Sequence, residues 1–152
     1  MATMLELVEA GELHKLDPQL SPRMQEDRVF YASVRLKDYL TEVLPTLGST
    51  WKIETSPIEQ FDAFIEVYAS GETLTYGHDL KPLNHVKDGI WQLKTADLRI
   101  FGWFPIFDHF VGVVANTTDQ IKQHNLYYGH AGEVGQFRDA LDLDEPKFIV
   151  GR

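Results

Sequence analysis

Three apolar runs follow one another between residues 89 and 115 with little chain to spare, and this spacing constrains the fold more than any other feature. Residues 90–94, 98–104 and 110–115 each read as a strand, joined by Thr95-Ala96-Asp97 and by Pro105-Ile106-Phe107-Asp108-His109. Connections this short join neighbouring antiparallel strands, because a parallel crossover needs roughly a dozen residues or more. The segment is expected to form a three-stranded antiparallel meander. Its Val-rich third strand reads as buried, and Gly112 marks a bulge or a close backbone approach there.

Upstream of the meander, Ser56-Pro57-Ile58-Glu59 places a cap, a proline at the first helical position and a glutamate where it can reach back to the cap amide. Ile58, Phe61, Phe64, Ile65 and Tyr68 then follow the spacing of one helix face, and Gly71 is a natural terminator. Nearer the start, Thr3 and Glu6 have capping-box spacing, and Gly11 would stop a short first helix. Ser21 and Pro22 suggest the start of a longer helix reaching about Leu44, with Val29, Ala32, Leu36, Leu40 and Val43 along one stripe. Residues 51–54 read as a short strand, residues 78–88 as a loop, and Val134, Phe137 and Leu141 as a last short helix packed on the sheet. The expected fold class is α+β: helices followed by a small antiparallel sheet and a C-terminal helix. Residues 1–48 form an N-terminal helical extension in this reading, and residues 49–152 a single globular unit.

A chain of 152 residues is long enough to bury a core and short enough for one domain. It has no apolar run of the roughly 20 residues that a membrane-spanning helix needs. The first residues do not read as a secretory leader, and the absence of cysteine fits a reducing compartment, so a cytoplasmic location is expected with no membrane partner. No cofactor or metal is expected, because the chain has no Gly-rich phosphate loop, nucleophile elbow or zinc-helix motif.

The formal net charge of −9 is spread along the whole chain. Such a balance repels polyanions in general, so the question is where the bases fall. Between Lys81 and Arg99, four bases (Lys81, Lys87, Lys94, Arg99) stand against two acids (Asp88, Asp97), a local balance of +2. Strand alternation puts Arg99 on one face with Phe101 and Trp103, opposite Leu98 and Ile100. An arginine so placed either grips a phosphate or is held in a structural salt bridge to a carboxylate. Lys94, beside a turn, is either a member of that group or a solvated strand end. His124 and His130 flank two tyrosines in a polar stretch after the last strand; they are proton-transfer candidates, or loop residues without a catalytic role.

In order and pattern, the strand and helix of residues 51–68, Leu80-Lys81-Pro82-Leu83, Gly89-Ile90-Trp91-Gln92-Leu93-Lys94, Leu98-Arg99-Ile100-Phe101-Gly102-Trp103-Phe104 and Phe110-Val111-Gly112-Val113-Val114-Ala115 resemble the RelE/HigB toxin superfamily, in particular its phage-derived Gp49-like branch. The resemblance covers about residues 51–141. It implies a RelE-like β-α-β-β-β core and a metal-independent endoribonuclease that cuts message on the ribosome and is neutralised by an antitoxin. In such chemistry a base takes the ribose 2′-OH proton, cations steady the phosphate, and an acid protonates the leaving oxygen. By position, Lys94 and Arg99 match the family's basic strand residues. Lys122, His124 and His130 complete the implied catalytic set, and Lys81, Lys87, Trp103 and Tyr127 the implied substrate contacts. Where the family commonly carries Lys or Arg after the last strand, this chain has Asn116-Thr117-Thr118-Asp119. A second reading keeps the scaffold without the catalysis: a binding module that uses the sheet or the N-terminal helix to hold a protein partner or a second copy of itself. A third is a small-molecule enzyme working through His124, Tyr127 and His130.

Overall fold

Ser56 and Glu59 pair as their spacing requires. The Glu59 carboxylate accepts from the Ser56 amide at 3.1 Å and from its hydroxyl at 2.8 Å, opening a helix over Pro57–Ala69. Gly71, at φ +83°, follows its last turn. In the computed structural model, which describes residues 1–50, 54–83 and 88–152, the helices are α1 (Met4–Glu9), α2 (Val34–Asp38), α3 (Pro57–Ala69), α4 (Thr118–His124) and α5 (Tyr127–Ala140). The strands are β1 (Leu13–Lys15), β2 (Val29–Ser33), β3 (Leu80–Pro82), β4 (Ile90–Lys94), β5 (Leu98–Ile106) and β6 (His109–Thr117). The proposed strand at 51–54 falls mostly outside the described residues.

The meander is present and longer than its apolar runs. β5 and β6 extend until Ile106 pairs with His109, leaving only Phe107 and Asp108 in the turn. The register shifts after Phe101, so that Gly102 pairs with Gly112. A Cβ on Gly102 would lie 2.0 Å from the Val111 carbonyl oxygen, so only glycine allows the two backbones to approach there.

The sheet is neither small nor wholly antiparallel. Six strands run in the order β1-β2-β6-β5-β4-β3, and β2 lies parallel to β6 while every other pair is antiparallel. β3 occupies part of the segment read as a loop. The single helix expected over 22–44 is replaced by β2, α2, a π-helical turn at Tyr39–Val43 and a 3-10 turn at Leu44–Thr46. Val-Phe-Tyr is a strand-forming triplet, and its edge is taken up by β6. Ser33 then ends the strand: its hydroxyl donates to the Val113 carbonyl at 2.7 Å and accepts from the Leu36 amide, capping α2. The wide turn moves the apolar stripe by one residue, so Leu44 is fully buried while Val43 is 42% exposed. Residues 1–48 therefore supply two strands of the sheet.

Helices cover both faces. On one, Phe61, Phe64, Ile65 and Tyr68 of α3 and Leu36, Leu40 and Leu44 pack with Phe30, Trp91, Leu93, Ile100 and Phe110. On the other, Leu7 of α1, Ile121 of α4 and Ala131 and Val134 of α5 pack with Phe101, Trp103, Val111 and Val113. This second face also carries the polar residues of the candidate site. None of the described helices is long and apolar enough to cross a membrane.

Candidate anion-binding site

Alternation and register together gather the polar residues of β3 to β6. Lys81 pairs with Gln92, Lys94 with Arg99, and Arg99 with Asn116. The two-residue period places Gln92 and Lys94 on one face of β4, and in-register pairing carries that face across to Arg99 and Asn116. The α4 helix brings a further cation: Thr117 caps it by accepting from the Gln120 amide at 3.2 Å, and Lys122 lies in its last turn. Burial lowers the Lys94 pKa below 10.5, and the positive charges of Arg99, Lys81 and Lys122 lower it further. Three cations thus act on Lys94 in an acidic protein.

A cavity of about 440 Å³ elsewhere is framed by Lys15 and the 16–26 loop; there Lys15 is paired with Glu26 at 2.9 Å. The cavity beside the cations, about 410 Å³, is lined by Lys81, Pro82, Leu83, Gln92, Asn125, Tyr127 and Tyr128. Asn125 reaches it by ending α4 in the left-handed conformation, φ 52°, a geometry asparagine tolerates better than most residues. Tyr128 is 70% exposed at the rim. Gln92 is 1% exposed, and neither atom of its side-chain amide has a hydrogen-bond partner among the described residues.

Arg99 is buried, and it is not locked to an acid: no ion pair includes it among the described residues. One terminal nitrogen donates to the carbonyls of Thr95 and Leu98, and Nε has no partner. Burial lowers its pKa, an effect opposed by the neighbouring Tyr127 hydroxyl and by the Asp97 carboxylate. Arg99 therefore stands behind Tyr127, which itself lines the cavity. The Lys94 ammonium donates to the Gly77 carbonyl at 2.7 Å.

The remaining sequence candidates separate. His124 is exposed on the last turn of α4, one residue before Asn125. His130 is buried on α5 between Glu133, 3.2 Å from Nδ1, and Asn116, 3.3 Å from Nε2, and it lines a different cavity with Arg35, Asp38, Tyr39 and Glu42. The two histidines do not line one pocket. Trp103 is fully buried against Phe137, with its indole N–H donating to the Lys147 carbonyl at 2.8 Å. It is a core residue, because its apolar neighbours on the second face leave no path to a substrate. Lys87 lies outside the described residues. Gln92 and Asn125 were not anticipated; a lone glutamine in an apolar strand was the only signal of the former.

Compared with protein-family models, curated proteins and solved structures, the chain matches none. Among the described residues, no three His, Cys, Asp or Glu side chains converge as a metal site would require.

Proposed function

We propose that this cavity and its cations bind single-stranded RNA, and that the protein is a RelE/HigB-type, metal-independent endoribonuclease acting on ribosome-bound message. The observation that carries the reading is the gathering of Lys81, Lys94, Arg99 and Lys122 in a chain of net charge −9. Concentrated cations hold phosphate, and exposed aromatic rings such as Tyr128 stack on unpaired bases. The core order of helix, β4, β5 and β6 is compatible with the family's arrangement.

The chemistry needs a proton acceptor, charge stabilisation and a proton donor. In this scheme Lys94 is the candidate acceptor of the ribose 2′-OH proton, released from its hydrogen bond to the Gly77 carbonyl. The 2′-oxygen then attacks phosphorus, the bond to the 5′-oxygen breaks, and a 2′,3′-cyclic phosphate and a 5′-hydroxyl result. Lys81, Lys122 and, from behind Tyr127, Arg99 offset the charge that builds on the phosphoryl oxygens. His124, beside Asn125, is the candidate donor to the leaving oxygen. His130 has no direct role in this scheme.

One observation favours a second reading. Lys94 and Arg99 already donate to backbone carbonyls of their own chain, as they would in a non-catalytic module that holds an acidic protein partner of the antitoxin kind. Purified full-length protein incubated with programmed ribosomes separates the two. Cleavage of the message, lost in Lys94→Met, supports the nuclease; intact message and no growth arrest on expression leave the binding module. The full chain is required, since residues 1–48 build part of the sheet.

A further inference from the structure

His130 is 8% exposed, both of its ring nitrogens are engaged, and its neighbours fix which one carries the proton. A backbone amide can only donate. The Thr117 amide lies 2.8 Å from the Asn116 side-chain oxygen, so that oxygen faces Thr117 and the amino group faces His130. Nε2 of His130, 3.3 Å from the amino group, is therefore the bare nitrogen and accepts. The proton sits on Nδ1, which donates to Glu133 at 3.2 Å. Arg35 of α2 holds the other oxygen of the same carboxylate.

We propose that His130 and Asn116 form a pH-operated latch on the start of α4. With the imidazole neutral, the Asn116 oxygen holds the Thr117 amide; with it protonated, that oxygen turns to Nε2. An imidazolium carries N–H on both nitrogens, so protonation sets two donors against each other across 3.3 Å. Rotating the Asn116 carboxamide by half a turn removes the conflict and takes the acceptor from Thr117. Thr117 is the N-cap of α4, so the rotation acts on the helix that carries Lys122, and Asn116 itself pairs with Arg99 across the sheet. Thr118 stays bonded to the carbonyls of Ala96 and Asp97, so the change is local and the helix keeps its place. The groups around the imidazole are Glu133 on its own helix with Arg35 behind it, and Asp38, Tyr39 and Glu42 lining the same cavity. From β5 it meets only the Phe101 ring, at 5.1 Å. Of these residue types, histidine alone ordinarily changes charge between about pH 8 and 5. The latch is independent of what the cations bind.

The test follows the isotope-labelled full-length protein by NMR from about pH 8 to 5. Its reporters are the His130 ring, the Thr117 backbone amide and the Asn116 side-chain amide. The expected result is one midpoint shared by all three, with the Thr117 amide proton moving upfield as its hydrogen bond is lost. His130→Ala holds the Thr117 and Asn116 signals at their neutral-form positions throughout. Glu133→Gln keeps the imidazole but removes the carboxylate that favours its charged form, so all three reporters move together to lower pH. This surface variant carries the test if His130→Ala does not fold. A Thr117 amide that stays still while His130 titrates overturns the latch. So does a step that survives His130→Ala, or an imidazole that stays neutral until acid unfolds the chain.

Discussion

Lys94 and Arg99 face one another directly across β4 and β5, and among the described residues neither is in an ion pair. Like charges placed opposite in a sheet destabilise it, by about 0.2–1 kcal/mol. The hydrogen bond from Lys94 to Gly77 offsets this by a similar amount. Lys94→Met should therefore leave stability within about 1 kcal/mol of the parent. Salt screens the repulsion in the parent but has nothing to screen in the variant. Urea denaturation at low and high salt should show the parent gaining more from salt; identical gains would remove the repulsion from the account.

The same pair predicts a pH dependence. The Lys94 pKa is below 10.5 in the folded protein, so between that lowered value and 10.5 the unfolded chain binds more protons. Stability contributed at this position therefore rises with pH across the window. Relative to Lys94→Met, the parent carries its full penalty below the folded pKa and none above 10.5. A stability difference that stays flat through the alkaline range would show that the lysine titrates normally.

At the start of α3 the sign reverses. Hydrogen bonds from the Ser56 amide and hydroxyl lower the Glu59 pKa below 4.5. Its stabilising contribution is complete above 4.5 and is lost as pH falls through the folded value. Glu59→Gln keeps an acceptor but removes the charge. Parent and variant should differ in melting temperature near neutral pH and converge in acid, and parallel acid-unfolding curves would count against the cap.

Trp103 separates fold from function. Replacing it with alanine should cost about 3–5 kcal/mol, because a fully buried indole leaves a cavity and an unpaired Lys147 carbonyl. Loss of RNA binding in Trp103→Ala should track the unfolded fraction seen by circular dichroism. A well-folded Trp103→Ala that failed to bind RNA would return this residue to the site.

His130 tests the division between the two cavities. Since it lines a different cavity from Lys81 and Gln92, His130→Ala should bind octanucleotides within about twofold of the parent, a difference of under 0.5 kcal/mol. A loss comparable to that of Lys81→Ala would mean that the two cavities act as one site.

Short-range chemistry was legible in the sequence. The Ser56–Glu59 cap, the α1 cap at Thr3, the three meander strands and the shared face of Arg99, Phe101 and Trp103 all follow from neighbours a few residues apart. Periodicity alone misread residues 29–44: the spacing of Val29, Ala32, Leu36 and Leu40 suits a helix, yet the edge of β6 draws residues 29–33 into the sheet. No local rule announces a parallel partner some eighty residues away in sequence.

The site divides in the same way. Residue type and alternation marked Lys94 and Arg99 as candidates, because a strand's two-residue period is fixed by its backbone. Which charges meet is a question of register and of helix placement, and those are set by burying two opposite apolar faces at once. The turn at Thr95–Leu98 sets Lys94 opposite Arg99, whereas tertiary packing brought Lys122 to them from α4, moved His130 to another cavity and left the Gln92 amide without a partner among the described residues.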